Sequence, residues 1–172
     1  ILLSTIPNSK CNKDWLIVVE GVEKNVPGQQ LPGHWWGGNL EGVRKFPVRL
    51  KVPGKLVYSP HEYGAGVHHA KWFDEDDFPE NLSRRWDKGF HYITREGIAP
   101  ILVGEFGGRK VDARSKEGIW QRAFVSFIQQ HELSFAYWCW NPNGGDTGGL
   151  VKDDWKTAES NKLKLLKALL SN

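Results

Sequence analysis

Four short apolar runs divide the chain, and longer stretches with helical periodicity separate them. The runs cover residues 16–21, 55–59, 100–104 and 134–140. None has the strict alternation of a half-exposed strand, which indicates strands that are buried on both faces. Buried strands that alternate with helices are typical of βα units and a parallel sheet. We therefore predict an α/β fold with four consecutive βα units.

Three of the intervening stretches place apolar residues on one helical face. Their stripes are, in chain order, Leu82, Trp86, Phe90 and Ile93; Ile119, Ala123, Phe124, Phe127 and Ile128; and Leu163, Leu166 and Leu170. The first stretch ends before Gly97, and glycine commonly closes a helix in the left-handed conformation. We also expect a short helix at residues 39–45. The lysine-rich last helix could lie on a membrane surface, but packing against a barrel is the favoured interpretation.

Polar, glycine-rich or aromatic residues follow every predicted strand at its carboxyl end. They are Glu20 and Gly21, then residues 61–64, 105–108 and 140–143. In parallel α/β folds, ligands bind at the carboxyl ends of the strands. A complete barrel has eight strands, so these four strand ends predict one half of a site.

Glu105 is the strongest candidate for chemistry. It follows a buried apolar run, and glycines on either side leave room for a ligand. A carboxylate in this place is costly unless it is used or paired. The alternative is a structural ion pair, with Arg109 as the partner.

His61 and Tyr63 are two residues apart, so an extended chain directs both side chains to the same side. A tyrosine hydroxyl can hold an ionised glutamate for attack, and a histidine can bind a sugar hydroxyl. The nine tryptophans add flat surfaces that can stack on sugar rings. Any one of them could instead fill the core, but Trp35 and Trp36 stand in turn-rich sequence.

Composition and charge exclude several classes of function. The net charge of +3 is small and the basic residues are scattered, so we expect no nucleic-acid partner. No apolar run reaches the length of a membrane span. Cys11 and Cys139 form no disulfide framework, and the adjacent His68 and His69 lack further metal ligands at suitable spacing. The glycine-rich residues 143–149 lack the ending of a phosphate-binding loop and predict a tight turn, so we expect no cofactor and no metal ion.

Five segments together resemble the secreted endoglucanases of glycoside hydrolase family five, in order and spacing and across nearly the whole chain. They are LIVVEGV at 16–22, WWGGNL at 35–40, YSPHEY at 58–63, GEFG at 104–107, and YWCWNP at 137–142 with DTGG at 146–149. The resemblance implies a single (β/α)₈ TIM-barrel domain, of which residues 1–172 supply strands five to eight as a C-terminal half barrel. It also implies an extracellular enzyme that hydrolyses β-1,4-glucan with retention of configuration.

The resemblance assigns roles to particular residues. Glu105 falls on the position of the nucleophile, and His61 and Tyr63 match the pair at the end of strand six. Trp138 matches the sugar platform of strand eight, which a cis peptide often joins to the next residue. The remaining substrate-binding candidates are Trp35, Trp36, Trp140 and Asn141.

One element of the family pattern is missing. The acid/base glutamate of the family lies in an Asn-Glu-Pro motif, which this sequence lacks. Glu20 and Glu62 occupy other strand ends and are not assigned to the role. The sequence has no methionine, and residues 1–8 read as the last turn of a helix before a loop, so we expect a piece of a longer parent.

A half barrel exposes sheet edges and an apolar face. We therefore expect a companion polypeptide that supplies strands one to four and the acid/base residue; a self-paired dimer of half barrels is the alternative. A fragment that binds glucan without cleaving it, and a related β-mannanase or xyloglucanase specificity, both stay open.

Overall fold

A computed structural model describes residues 13–170, so the expectations for residues 1–8 and for Cys11 lie outside the described part. The described residues form two compact units. The first contains the chain up to His61 together with Arg85–Leu102, and the second contains Glu62–Arg84 and the chain from Val103 onward. From residue 56 onward, helices separate the strand regions, which confirms the predicted α/β class. No helix lies between the first two strands within residues 13–170, so the prediction of four consecutive βα units is wrong for the first unit.

Five short strands build two sheets. They are β1 (Ile17–Glu20), β2 (Leu56–Ser59), β3 (His61–Tyr63), β4 (Leu102–Gly107) and β5 (Ser134–Tyr137). β1 and β2 pair in parallel with Ile17 opposite Leu56, and the other three strands form a sheet in the order β3, β4, β5. All four predicted strands are present, and β3 is an additional strand that follows Pro60.

Burial of the strands differs from the expectation at two of them. β2 and β4 are largely buried, but β1 and β5 alternate between half-buried and exposed residues. The expectation that every strand is buried on both faces is therefore wrong for β1 and β5. Each of these strands has a single strand neighbour in the part of the chain that the structure describes.

The helical segments begin with a 3₁₀ turn at Lys71–Asp74. A continuous helical stretch follows, made of α1 (Glu80–Trp86), a π turn at Asp87–His91 and α2 (Tyr92–Arg95). Gly97 has a φ of +67°, and the Ile98 N–H donates to the Ile93 carbonyl at 2.9 Å. This geometry is a Schellman cap, so the predicted role of Gly97 is confirmed.

The long helix α3 (Lys116–Gln130) covers the core of the second unit. Ser115 caps it, because the Ser115 hydroxyl accepts a hydrogen bond from the Gly118 N–H at 3.1 Å. Phe124 packs its ring edge against Phe106 of β4, with ring centroids 5.4 Å apart. The predicted stripe is partly right, but the buried face also contains Trp120 and Gln121.

One helical prediction is wrong and another is only partly right. Residues 39–45 form turns rather than a helix, because short bonds such as Val43 N–H to the Leu40 carbonyl close the chain locally. In α4 (Ser160–Leu166), which a 3₁₀ turn at Lys167–Leu169 extends, Leu163 is exposed and Lys162 is buried. None of the helices in residues 13–170 is long and apolar enough to span a membrane.

Candidate active site

The hydroxyl of Tyr63 donates a hydrogen bond to Glu105 Oε2 at 2.5 Å. Tyr63 ends β3, Glu105 lies within β4, and the two strands are neighbours in the sheet. Burial raises the pKa of Tyr63, and the hydrogen bond and charge of Glu105 raise it further. The phenol therefore remains a protonated donor that fixes one oxygen of the half-buried carboxylate.

Trp138 immediately follows β5 and is fixed by the backbone of β4. Its N–H donates to the Phe106 carbonyl at 2.8 Å. Its own carbonyl lies so close to Gly107 that a Cβ there would approach the oxygen to 1.9 Å, so only glycine fits. The Trp138–Cys139 peptide is cis, as expected, and 45% of Trp138 is exposed. The second unit thus brings together Tyr63, Glu105 and Trp138 on three neighbouring strands.

Two buried polar side chains of α3 hold the segment that follows Glu105. Glu117 Oε1 accepts the Arg109 N–H at 2.8 Å, and Gln121 Nε2 donates to the Lys110 carbonyl at 2.9 Å. The Tyr137 hydroxyl completes the network by donating to Gln121 Oε1 at 2.7 Å. The sequence reasoning missed Glu117 and Gln121. Their signal is their spacing of four residues on a helix whose other inward positions are apolar.

Residues 138–149, here called the second tryptophan loop, are anchored by two cations. The Arg109 side chain donates to the Gly144 carbonyl at 2.9 Å and to the Gly145 carbonyl at 2.8 Å. Lys162 Nζ donates to the Thr147 carbonyl at 2.8 Å and to the Gly149 carbonyl at 3.0 Å. The Arg109 guanidinium is thus engaged by loop carbonyls, which favours a loop anchor over the ion pair considered for Glu105.

The same loop contains the other aromatic and amide candidates of the second unit. Trp140 is 63% exposed, which leaves an indole face accessible. Asn141 Nδ2 donates to Asn143 Oδ1 at 2.5 Å, so this amide braces the loop. Gly148 has a φ of +60°, which agrees with the predicted tight turn.

His61, Trp35 and Trp36 have their described contacts in the first unit. His61 is buried, and its Nε2 lies 3.6 Å from Glu20 Oε1. Gly37 packs against the imidazole, since a Cβ at this position would lie 2.7 Å from His61 Nδ1. The Trp35 ring is buried edge-on against Trp36, with centroids 5.4 Å apart, and Trp36 is 45% exposed. Trp35 is therefore a core residue, and Trp36 presents the accessible ring.

Residues 30–41, here called the first tryptophan loop, surround a buried carboxylate. Glu41 accepts the Gln30 N–H at 2.6 Å, the Leu31 N–H at 3.1 Å and a hydrogen bond from His34 Nε2 at 2.7 Å. Burial lowers the pKa of His34 although the hydrogen bond and charge of Glu41 raise it. We conclude that a neutral imidazole donates to the carboxylate. Sequence reasoning missed this pair, because His34 and Glu41 are seven residues apart in irregular chain.

Within residues 13–170, no group of three or more histidine, cysteine, aspartate or glutamate side chains is arranged to hold a metal ion. His69, which the sequence places beside His68, instead contacts Asp74 Oδ2 at 2.7 Å.

Comparison with known proteins decides the family. Residues 4–144 match the family described as cellulase, glycosyl hydrolase family 5. The chain belongs to this family. Membership in glycosyl hydrolase family 5 agrees with the resemblance of the sequence segments.

Two curated relatives in the family are similar over most of the chain. An endoglucanase from Paenibacillus polymyxa is 53% identical over 90% of this chain, and the major extracellular endoglucanase of Xanthomonas campestris pv. campestris is 35% identical over 90% of it. The chain spans only 39% and 32% of the lengths of these two proteins.

Solved structures give the same result for the fold. An endocellulase from Pyrococcus horikoshii in complex with cellotetraose superposes with a TM-score of 0.83 at 38% identity, over 91% of this chain and 44% of the other. The catalytic domain of the major endoglucanase from Xanthomonas campestris pv. campestris superposes with a TM-score of 0.81 at 37% identity, over 92% and 45%. The family 5 chain therefore corresponds to less than half of each of these structures.

Proposed function

We propose that the chain is the nucleophile half of a retaining endo-β-1,4-glucanase and supplies strands five to eight of a (β/α)₈ barrel. The observation that carries the proposal is the hydrogen bond of 2.5 Å from the Tyr63 hydroxyl to Glu105 at neighbouring strands. Trp138 follows the next strand of the same sheet. A carboxylate, a phenol and an indole at adjacent strand ends suit attack on a bound sugar.

In the proposed mechanism, Glu105 attacks the anomeric carbon and forms a glycosyl-enzyme ester as the bond to the leaving oxygen breaks. A second carboxyl group donates a proton to that oxygen, then removes a proton from the water that hydrolyses the ester. Tyr63 holds the attacking carboxylate in one orientation before the reaction. Retaining chemistry requires the second carboxyl group about 5–5.5 Å from Glu105.

The second carboxyl group is proposed to come from a companion polypeptide that supplies strands one to four. The motif that carries it in the family is not in this sequence. The partly exposed strands β1 and β5 support the proposal, as do the exposed apolar residues Leu16 and Val18. Mass spectrometry of the intact protein under native and denaturing conditions tests it. A second polypeptide bound to this chain supports the proposal, and an active enzyme made of this chain alone contradicts it.

The proposed substrate is β-1,4-glucan outside the cell. The relatives are named endoglucanases, one of them extracellular, and one similar structure holds cellotetraose. Trp36, Trp138 and Trp140 each leave an indole partly exposed, as stacking on sugar rings requires. Product formation from carboxymethylcellulose, mannan and xyloglucan, measured side by side, tests the preference for glucan.

The decisive experiment replaces Glu105 by glutamine in the completed barrel, meaning this chain together with the polypeptide that supplies strands one to four. We expect turnover of carboxymethylcellulose to fall by about 10³-fold or more, because the amide is a poor nucleophile. Glu23→Gln, at an exposed glutamate, is the matched control. Unchanged turnover in Glu105→Gln would remove Glu105 from this role.

A glucan-binding role without hydrolysis is the second candidate, and the exposed tryptophans favour it. A pull-down on insoluble cellulose combined with a reducing-sugar assay separates the two functions. Retention of the protein without product favours the binding role, and product formation that Glu105→Gln abolishes favours the hydrolase.

A further inference from the structure

The second tryptophan loop returns to its starting point through a pair of backbone hydrogen bonds. The Leu150 N–H donates to the Cys139 carbonyl at 2.9 Å, and the Val151 N–H donates to the Trp140 carbonyl at 3.3 Å. Between these points the chain makes a wide turn rich in glycine, which has little tendency to hold one conformation. Side chains from elsewhere in the second unit must therefore fix the turn.

Arg109 fixes the first half of the turn. It stands four residues after Glu105, and its N–H is held by the buried Glu117 carboxylate at 2.8 Å. Its guanidinium spans the carbonyls of Gly144 and Gly145 with three hydrogen bonds of 2.8–3.1 Å. A planar guanidinium presents its donors in a rigid fork, which limits the positions that these two carbonyls can adopt. Arg109 thus connects the segment that follows Glu105 directly to the loop.

Lys162 fixes the second half of the turn from α4. The residue is only 5% exposed, and its ammonium bonds the carbonyls of Thr147 and Gly149. Burial of an ammonium is unfavourable unless polar groups compensate it, and burial lowers the pKa of Lys162 accordingly. At Gly148, between the two carbonyls, a Cβ would lie 3.5 Å from both Arg109 Nη1 and Lys162 Nζ. The two cations therefore bind the loop on either side of Gly148.

The segment held by the two cations contains a charged residue, Asp146. Asp146 stands between the carbonyls bonded by Arg109 and those bonded by Lys162, and its Oδ1 accepts the Thr147 N–H at 2.7 Å. The charge of Asp146 acts on Tyr63, whose hydroxyl holds Glu105. A shift of the loop would therefore displace a charge near the reacting groups and the exposed indole of Trp140.

We propose that Arg109 and Lys162 are positioning residues that clamp the second tryptophan loop, so that Trp140 is presented to the glucan at a fixed distance from Glu105. The inference rests on the proposed function. Neither cation touches the sugar; both act through the carbonyls of the loop. Because the bond from Tyr63 to Glu105 does not involve the clamp, loss of the clamp weakens substrate binding more than it slows the chemical step.

The test measures KM and kcat on carboxymethylcellulose for Arg109→Met, Arg109→Lys and Lys162→Met in the completed barrel. We expect Arg109→Met and Lys162→Met to raise KM by about 10-fold and to lower kcat by a smaller factor of about 3-fold or less, because Asp146 moves with the loop. Arg109→Lys keeps a charged donor but loses the planar fork, so it should recover only part of the loss. Arg122→Met is the matched control, because Arg122 lines the same cavity of about 710 Å³ as the two cations and is expected to leave both constants unchanged.

An unchanged KM in Arg109→Met would overturn the clamp, as would equal losses in Arg109→Lys and Arg109→Met. If Lys162→Met fails to fold, the exposed Arg109 series decides alone. Failure of the proposed function is a separate result: the parent barrel is then inactive, whereas failure of the clamp leaves an active parent and a variant with the parent's KM.

Discussion

The two tryptophan loops are held in place by side chains of opposite charge. In the first loop, the carboxylate of Glu41 receives backbone N–H donors and His34. In the second, Arg109 and Lys162 donate to backbone carbonyls. Irregular chain must satisfy its polar groups outside a strand or helix ladder. The comparison shows that the backbone groups of a loop decide the charge of its anchor. Inward-facing N–H groups are held by a carboxylate, and inward-facing carbonyls are held by a cation.

The anchors also differ in how deeply they are buried. The side chains of Glu41 and His34 are each 3% exposed, whereas Arg109 lies at the surface. Breaking a buried ion pair or hydrogen-bonded charge lowers the free energy of unfolding much more than breaking an exposed ion pair does. The first loop should therefore be more sensitive to loss of Glu41 than the second loop is to loss of Arg109; Lys162, the other anchor of the second loop, is itself buried.

Removal of Glu41 should have the largest effect on stability. We expect Glu41→Ala to lower the free energy of unfolding of the completed barrel by about 4 kcal/mol, because two backbone N–H groups and His34 lose their acceptor. Arg109→Met should lower it by only about 1 kcal/mol. Urea denaturation measures both. Glu23→Ala, at an exposed pair with Lys24, is the control, and equal losses in Glu41→Ala and Arg109→Met would contradict the comparison.

Replacement of a glycine should also destabilise the protein more in the first loop than in the second. Gly37 and Gly148 both have positive φ, of 73° and 60°. A Cβ at Gly37 would lie 2.7 Å from His61 Nδ1, but one at Gly148 meets only ordinary contacts of 3.5 Å. We expect Gly37→Ala to lower the free energy of unfolding by about 3 kcal/mol and Gly148→Ala by about 1 kcal/mol.

Gly54 provides the control for backbone strain alone, since its φ is +71° and no atom lies within 4 Å of an added Cβ. Gly54→Ala should match Gly148→Ala in urea denaturation. If Gly37→Ala also matches these two, the close packing of the first loop on His61 has no energetic consequence.

Loss of an exposed tryptophan should lower activity more in the second loop than in the first. Trp138 is bonded to the strand that carries Glu105, whereas the described contacts of Trp36 lie in the first unit. We expect Trp138→Ala to lower kcat/KM on carboxymethylcellulose by about 30-fold, or about 2 kcal/mol, and Trp36→Ala by about 5-fold, or about 1 kcal/mol. Steady-state kinetics measures both. A larger loss in Trp36→Ala would reverse the ranking.

The sequence predicts those parts of the fold that depend on local pattern. Apolar runs reveal β2 and β4, and Gly97 marks the end of a helix because only a residue tolerant of positive φ suits that place. Local pattern also identifies Glu105, because a carboxylate directly after a buried apolar run is unusual. The family resemblance added the role of Trp138, which local pattern alone does not supply.

The parts that failed depend on contacts between distant residues. Lys162 is buried because the carbonyls of Thr147 and Gly149, about a dozen residues earlier, receive its ammonium, and periodicity treats any lysine as exposed. The same limit applies to Glu41, whose partners Gln30, Leu31 and His34 lie 7 to 11 residues earlier in irregular chain. Residues 39–45 have a helical composition, but the turn bonds of the folded chain replace the helix.

The smallest expected effect is a dependence of the first loop on pH. Burial keeps the pKa of His34 below its ordinary value of 6.5. As the pH falls through that value, the unfolded chain binds a proton on this histidine before the folded chain does, so its contribution to stability is complete above pH 6.5 and declines below it. The second loop should lack this response, because the cation of Lys162 is protonated in both states at acid pH.

The slope of unfolding free energy against pH, measured by urea denaturation between about pH 7.5 and about pH 5.5, tests this difference. His34→Gln retains a donor for Glu41 but does not titrate, so its slope should be shallower than that of the parent. Lys162→Met should keep the parental slope. If His34→Gln and the parent have the same slope, the imidazole does not act as a neutral donor in the folded protein, and the contrast in pH response between the two anchors is lost.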